Sequence, residues 1–345
     1  MTNGKWHAKI LDPIKERDTI VKARKLFWGE ENIEFINWCY YDNPAGNVFC
    51  VLALANDTIA GQYIVIPIDF ILNGKRTKAS LSLDTFTHPE FRRQGIFTGL
   101  ANFLFKILEQ NNIVLTMGFP NQYSRPGFLE KLKFTEPLPV HNGTRLITRD
   151  RNSAFLVRKL SLNFPFGGLF FLAKKCLSLR YEIVHAPNDS WIDECWINIK
   201  RNIEFGLFKD SKWTQWRYLN NPRYSYNFFM VSGRDEKPVG YIVFRNDYIV
   251  NKRKQLALRI VDIFAENTLA KSEILYLFLN EVCEKVDLVH MQSSLYSSNF
   301  YAMSSNLFVP RGRVSFIVRP HGSFQIFSRL PKRKWEFSSA YSDLI

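Results

Sequence analysis

The chain has 345 residues, 46% of them hydrophobic and 15% aromatic, with a formal net charge of +14. That length exceeds one small domain and supplies apolar material for two cores, while the positive balance favours anionic partners such as CoA, nucleotide-linked sugars, nucleic acid or an anionic membrane face. No apolar run reaches the ~18 residues of a membrane span, and the five cysteines (Cys39, Cys50, Cys176, Cys195, Cys283) lack C-x-x-C spacing, which argues against metal or disulfide frameworks and for a reducing cytoplasm.

In chain order, residues 1–34 read as an entry segment with a helix, of which residues 1–17 are charged and lack an apolar signal core. An amphipathic turn opens at Asp18-Thr19-Ile20-Val21, and residues 30–41 make a second helix candidate. A strand over residues 49–55, the turn Asn56-Asp57 and a strand over 59–66 form one hairpin. Residues 68–72, the turn Asn73-Gly74-Lys75 and residues 78–87 form another. Pro89 ends that last strand, because proline has no amide hydrogen for a ladder.

A charged turn follows. Gly95 then opens a run in which Ile96, Phe97, Leu100, Phe103, Leu104, Ile107 and Leu108 share a face, a helix of about four turns. Residues 113–117 have the composition of a buried strand, 121–127 of a loop, 128–132 of a short helix and 134–140 of an extended segment. Hairpins followed by strand, helix and strand predict an α+β fold. Residues 162–173, apolar and interrupted by Pro165, Gly167 and Gly168, precede Lys174-Lys175. They are too short to span a bilayer and suit an interdomain linker with a helix, with an interfacial membrane anchor as the second reading. No zinc-finger, basic-zipper or helix-turn-helix signature is visible, so nucleic acid ranks low as a partner.

The organising unit is therefore a strand ending at Thr87, a basic glycine-bearing turn, and a helix. A helix start presents unpaired N–H groups and the positive end of the macrodipole. Gly95 permits close approach of a ligand, and Arg92, Arg93 and Thr98 add charge and a hydroxyl at the same end. A diphosphate could sit here, although a basic helix start also occurs as a plain solvated corner.

The run Thr87-His88-Pro89-Glu90-Phe91-Arg92-Arg93-Gln94-Gly95-Ile96-Phe97 resembles the acyl-CoA loop of the GNAT superfamily of N-acyltransferases. Arg92 and Gly95 match the family's Arg/Gln-x-x-Gly-x-Gly/Ala pattern; Phe97 stands where Gly or Ala is usual, and Thr87 where valine is. The resemblance implies that Thr85, Phe86 and Thr87 pair with the pantetheine arm of acetyl-CoA or another acyl-CoA. It also implies that the amides of Arg93, Gln94, Gly95, Ile96, Phe97 and Thr98 hold the diphosphate.

A repeat extends this reading. Trp38-x-Tyr40-x-x-Asn43-Pro44 recurs 178 residues later as Trp216-x-Tyr218-x-x-Asn221-Pro222. Gly61 matches Gly240, and Leu83-Asp84-x-Phe86 matches Val261-Asp262-x-Phe264, at nearly the same offset. Two copies of one domain are expected: a GNAT-like domain over 1–150, a linker over 151–185, a second, degenerate copy over 186–330, and a tail over 331–345. The second copy has Ala265-Glu266-Asn267-Thr268 where the first has its arginines and glycine, and a glutamate at a helix start repels a diphosphate.

Acyl transfer to an amine needs a base for the ammonium, polarisation of the thioester carbonyl and a proton for the departing thiolate. Asp84, on the organising strand, is the candidate base. Its match to Asp262 in the copy without a phosphate turn favours a structural role instead. The tyrosine that GNAT enzymes often use as acid corresponds to Leu129 in Leu129-Glu130-Lys131-Leu132-Lys133-Phe134, which leaves Tyr123 as the substitute. Asn121 and Ser124 could hydrogen-bond pantetheine or acceptor, and no metal site is expected. The expected function is an acyl-CoA-dependent N-acetyltransferase in the cytoplasm, peripheral contact with the inner membrane face being compatible. Its acceptor would be an amine such as a nucleotide- or lipid-linked amino sugar of surface-polysaccharide synthesis. A non-catalytic CoA- or nucleotide-binding protein is the alternative, and the oligomeric state stays open.

Overall fold

Two-residue turns set the first sheet. Asn73 and Gly74 both hold left-handed backbone, φ 52° and 74°, which suits the twist of a tight hairpin, and Leu72 pairs with Lys75 across them. The structure, a computed structural model, describes residues 6–29, 32–147, 179–247, 256–282, 285–322 and 335–342. The apolar segment 162–173 with Lys174, Lys175 and Cys176, and Cys283, lie outside the described residues. Cys39, Cys50 and Cys195 are free and buried.

The first elements are β1 (His7–Leu11), α1 (Arg17–Trp28), α2 (Ile33–Tyr40), β2 (Phe49–Ala55), β3 (Thr58–Leu72), β4 (Lys75–Thr87), α3 (Ile96–Gln110) and β5 (Ile113–Gly118). There follow β6 (Val140–Leu146), β7 (Arg180–Val184), α4 (Asp189–Lys200), β8 (Phe205–Leu207), α5 (Ser211–Thr214), β9 (Asn227–Ser232) and β10 (Pro238–Asn246). The last are β11 (Ala257–Ala265), α6 (Thr268–Val282), β12 (Leu288–Ser294), α7 (Ser298–Ser305), β13 (Val309–Val314) and β14 (Ile317–Pro320).

The chain forms two compact units. The first comprises Met1–Pro137, Asn220–Arg223 and Ser315–Leu330; the second comprises Leu138–Leu219, Tyr224–Val314 and Pro331–Ile345. In the first, strands run in the order β1-β2-β3-β4-β5-β14. Every neighbouring pair is antiparallel except β4 and β5, which α3 joins as a parallel pair. The second repeats the plan in the order β13-β6-β12-β11-β10-β9-β7, with α6 joining the parallel pair β11 and β12. Both units are thus α+β, with hairpins leading into a strand-helix-strand unit, the layout of two tandem GNAT-like domains.

Each unit completes its sheet with a strand from outside its own run of sequence. β14 pairs with β5 in the first, and β6 lies between β12 and β13 in the second. A strand edge offers unpaired N–H and C=O groups to any strand of suitable geometry, and sequence neighbours have no monopoly on it.

Helix α3 buries Ile96, Leu100, Ala101, Leu104, Phe105 and Leu108. The buried stripe therefore runs through Ala101 and Phe105, while Phe103, expected inside, is exposed. Each fully buried Leu or Phe contributes roughly 1.5–3 kcal/mol of transfer free energy. Gly61 and Gly240 match because both sit where a strand meets a partner and a helix at once. A Cβ on Gly61 would lie 2.6 Å from Ile96, and one on Gly240 2.1 Å from the Phe264 carbonyl and 2.7 Å from Ile274.

Strand β3 runs unbroken through Pro67, where two strands were expected. Pairing with β2 ends at Phe49 opposite Val65, so the missing N–H of Pro67 falls beyond the end of β2. The carbonyl of Pro67 accepts from Asn43 Nδ2 at 2.7 Å. Asn43 of the repeated motif thus takes over where the ladder stops.

Candidate active site

The site begins where two parallel strands part. β4 and β5 are paired at Ser80–Thr116 and Leu81–Met117, and no further. Beyond that point β4 stays with β3 as far as Thr87 opposite Gly61, while β5 stays with β14 through Gly118 opposite Ile317. The facing backbone groups of the β4 segment from Ser82 onward therefore have no strand partner on the β5 side.

An irregularity in β4 sharpens the separation. Gln62 faces Phe86 but Ile64 faces Leu83, so β4 carries one extra residue at Asp84–Thr85. A bulge of this kind bends its strand and re-aims side chains. Asp84 has φ 38°, a left-handed conformation that a non-glycine residue adopts at a cost.

What holds Asp84 is a buried cation. Arg24 Nε donates to Asp84 Oδ2 at 2.8 Å and to the Tyr40 hydroxyl at 3.0 Å, and that hydroxyl also donates to Asp84 Oδ2. The Arg24 guanidinium lies 5.6 Å from the Trp28 ring centre and 6.0 Å from that of Tyr40. Burial, then the Asp84 charge, pushes the Tyr40 hydroxyl pKa well above its ordinary value, so Tyr40 stays a donor. Asp84 Oδ1 has no partner among the described residues, and the side chain is 17% exposed. Arg24 belongs to no motif, and sequence reasoning passed over it.

Beneath the parting point runs a chain of buried polar groups. Arg319 Nη1 donates to His321 Nδ1 at 2.9 Å, which leaves the ring proton on Nε2, facing Thr116 Oγ1 at 2.7 Å. Thr116 Oγ1 lies 2.8 Å from Ser80 Oγ. Burial, then the Arg319 charge, pushes the His321 pKa down to about 3, so the ring is neutral at ordinary pH. His321 is 205 residues from Thr116, and no local pattern announces the contact.

At its far end β4 delivers the turn. His88 caps the short helical turn Pro89–Phe91. Arg93 and Gly95 both have left-handed backbone, φ 64° and 76°. Gly95 is the N-cap of α3, and a Cβ placed there would meet nothing within 4 Å. The first helical amide to bond backwards is that of Gly99, to Gly95 O at 2.8 Å. Among the described residues none of the backbone N–H groups of residues 93–98 has an acceptor. Arg92 and Arg93 are exposed and form no ion pair among the described residues. This run of open donors and free cations around a glycine with clear space in front fits a diphosphate.

The remaining candidates are placed less directly. Thr98 Oγ1 donates to Gly95 O at 3.0 Å, so its hydroxyl proton is taken up within the turn. Phe97, at a position where the family has a small residue, turns its ring towards Phe128, 5.2 Å between centroids. Asn121 Oδ1 accepts from the amides of Tyr123 and Ser124 at 3.0 and 2.9 Å, so this side chain shapes its own loop and retains only its Nδ2 donors. Tyr123 is 85% exposed. Thr85 Oγ1 donates back to Leu83 O at 3.1 Å. No group of three or more His, Cys, Asp or Glu arranged to hold a metal occurs among the described residues. None of their helices is long and apolar enough to cross a membrane.

The second unit repeats the frame and differs in contents. Lys209 Nζ donates to Asp262 Oδ2 at 2.7 Å, and the Tyr218 hydroxyl donates to the same oxygen at 2.9 Å. Lys209 lies over the rings of Phe264 and Trp213. β11 and β12 also part, after Ile260–Met291, but here the parting is bridged. Ser339 Oγ accepts from Gln292 N at 3.2 Å and donates to Ile260 O at 3.4 Å, and Ser338 Oγ accepts from Lys209 Nζ at 3.1 Å. Trp335, Phe337, Ser338, Ser339, Ala340 and Tyr341 are all buried. Residues 335–342, part of the segment read from sequence as a tail, thus fill this gap. Before α6 stands Glu266, with no basic turn.

The comparisons with known proteins agree with this geometry. Residues 14–135 match the family model of the acetyltransferase (GNAT) domain. Among solved structures, a probable N-acyltransferase of Enterococcus faecalis is similar at TM-score 0.66 and 13% identity, over 92% of this chain and 72% of that one. A GCN5-related N-acetyltransferase of Anabaena variabilis gives 0.65 and 15%, over 91% and 72%. An N-myristoyltransferase of Saccharomyces cerevisiae with bound myristoyl-CoA gives 0.55 and 12%, over 92% and 83%. At such identities the likeness is one of fold. No curated protein matches the sequence. The chain thus has the fold of two tandem GNAT-like domains, and residues 14–135 of its first unit match the acetyltransferase (GNAT) domain.

Proposed function

We propose that the first domain binds acetyl-CoA or another acyl-CoA and transfers the acyl group to an amine. The observation that carries this is the run of backbone N–H groups over residues 93–98 without acceptors, set directly beyond the parting of β4 and β5. The amides would hold the diphosphate with Arg92 and Arg93 beside it. The backbone of Thr85, Phe86 and Thr87 would pair with the pantetheine arm, as a strand edge pairs with any extended partner.

The bound thioester supplies the acyl group; the residues supply proton handling and position. Asp84 Oδ1, the oxygen left free by Arg24 and Tyr40, would take the ammonium proton of the acceptor. Tyr123 would return a proton to the departing thiolate, and Asn121 Nδ2 would bind pantetheine or acceptor. The +14 charge suits an anionic acceptor, and an amino sugar on a nucleotide or lipid carrier has that chemistry.

A second reading has one observation in its favour. Asp84 Oδ2 sits in the same cation–tyrosine knot as Asp262, where the second unit has no phosphate turn, so the carboxylate could serve the frame alone. The protein would then bind CoA without transferring its acyl group.

Titration calorimetry with acetyl-CoA tests the first step. Wild type should bind one acetyl-CoA per chain, and Arg93→Glu with Gly95→Trp should weaken binding by at least ~100-fold, about 2.7 kcal/mol. Absence of binding by wild type removes the proposal. Thiol release with a panel of amines, including nucleotide-linked amino sugars, then separates enzyme from binder, and Asp84→Asn should abolish any release observed.

A further inference from the structure

The phosphate turn is braced by a residue outside it. Trp6, immediately before β1, donates from its indole Nε1 to the carbonyl of Gln94 at 3.2 Å. The same indole lies against the backbone of Gly99 in the first turns of α3. A Cβ at Gly99 would be 2.4 Å from Trp6 Cη2 and 2.8 Å from Cζ2, a distance no side chain tolerates. Gly99 is thus the seat of the ring, and Gln94 O is its hydrogen-bond partner.

Peptide planarity makes this consequential. The carbonyl of Gln94 and the N–H of Gly95 belong to one trans peptide unit and point in opposite directions. That unit lies between two residues with left-handed backbone, Arg93 at φ 64° and Gly95 at φ 76°. Gln94 O accepts no other hydrogen bond among the described residues, and Gln94 and Gly95 are both exposed. Without the indole the plane could rotate, because a glycine on its C-terminal side opposes rotation weakly.

We propose that Trp6 is a positioning residue for the diphosphate. By holding Gln94 O it keeps the Gly95 N–H pointing away from the indole and into the set of open amides that receives the ligand. This rests on the acyl-CoA reading above. Preorganised donors bind more tightly than donors that must be ordered by the ligand, and hydrogen bonds to a charged acceptor are the strong ones.

Two variants test it. Trp6→Phe keeps an aromatic ring and removes the donor; Gly99→Ala leaves Trp6 intact and displaces its ring. Acetyl-CoA affinity is measured by calorimetry for wild type and both variants. A thermal-shift series with S-acetylpantetheine, which has the thioester arm and no diphosphate, runs beside it. The expected result is a loss of about tenfold in acetyl-CoA affinity, ~1.4 kcal/mol, with the response to S-acetylpantetheine unchanged. Equal acetyl-CoA affinity in Trp6→Phe and wild type overturns the proposal, and so does an equal loss for both ligands, which marks a general structural role. If Trp6→Phe loses its native circular dichroism, Gly99→Ala decides by the same criteria. A wild type that binds no acetyl-CoA is recognised without either variant and sinks the acyl-CoA reading together with this inference.

Discussion

The two units set the same frame around different contents. In each, a tyrosine of the repeated Trp-x-Tyr-x-x-Asn-Pro motif and a buried cation hold one carboxylate beside the parting of two parallel strands. In the first unit the cation is Arg24, the carboxylate has a free oxygen and left-handed backbone, and a basic turn with open amides follows. In the second the cation is Lys209, Asp262 is fully buried, and residues 335–342 bridge the strands. The knot is present in the unit that has no basic turn, so its occurrence does not depend on that turn. What differs between the units is the turn and whatever lies in the gap.

Breaking the knots should expose the difference in burial. Lys209→Met removes the partner of a carboxylate that is 1% exposed, and an uncompensated buried charge costs about 3–5 kcal/mol. Arg24→Met should cost less, about 1–3 kcal/mol, because the Asp84 side chain keeps some access to water. Urea unfolding of both variants measures the two losses, and equal losses would remove the distinction drawn between the two carboxylates.

Acid should act on the first unit through His321. The ring has an ordinary pKa of 6.5 when unfolded and one of about 3 when folded. Between those values the unfolded chain binds the proton and the folded chain does not. Stability is therefore fully present above pH 6.5 and falls as pH drops towards 3, by up to ~1.4 kcal/mol per pH unit from this group. Urea midpoints from pH 7 to 4 should show a shallower decline in His321→Gln than in wild type.

The matched glycines carry the comparison into packing. Gly240→Ala should cost about 1–3 kcal/mol by overpacking, since its Cβ meets the Phe264 backbone at 2.1 Å. Gly61→Ala should cost less, as its nearest contact is the Ile96 Cγ2 methyl at 2.6 Å and the nearest backbone atom, Phe86 O, lies at 3.1 Å. Thermal melts of the two variants measure the difference, and a larger loss for Gly61→Ala would reverse the order.

Much of this was legible in the residues. Hairpins at Asn56-Asp57 and Asn73-Gly74 and the helix after Gly95 follow from local patterns: turn chemistry, period 2 and period 3.6, each of which acts within a few residues of backbone. The repeat was legible as a match of motifs at one offset. Gly95 stands out because its φ of 76° excludes a β-carbon without strain. Pro67 misled the reading, since the rule against proline in a strand assumes a neighbour on that side, and there β2 has already ended.

Tertiary structure alone decided the rest. That β14 pairs with β5 and β6 with β12 depends on which edges lie open when the sheets assemble, and sequence separation of open edges leaves no local trace. Arg24, His321 and Trp6 gain their roles from partners 60, 205 and 88 residues away. The bridging of the second strand gap by residues 335–342 is of the same kind. A strand's pattern states that it needs hydrogen-bond partners and an apolar side. Which segment meets that need is a matter of three-dimensional proximity.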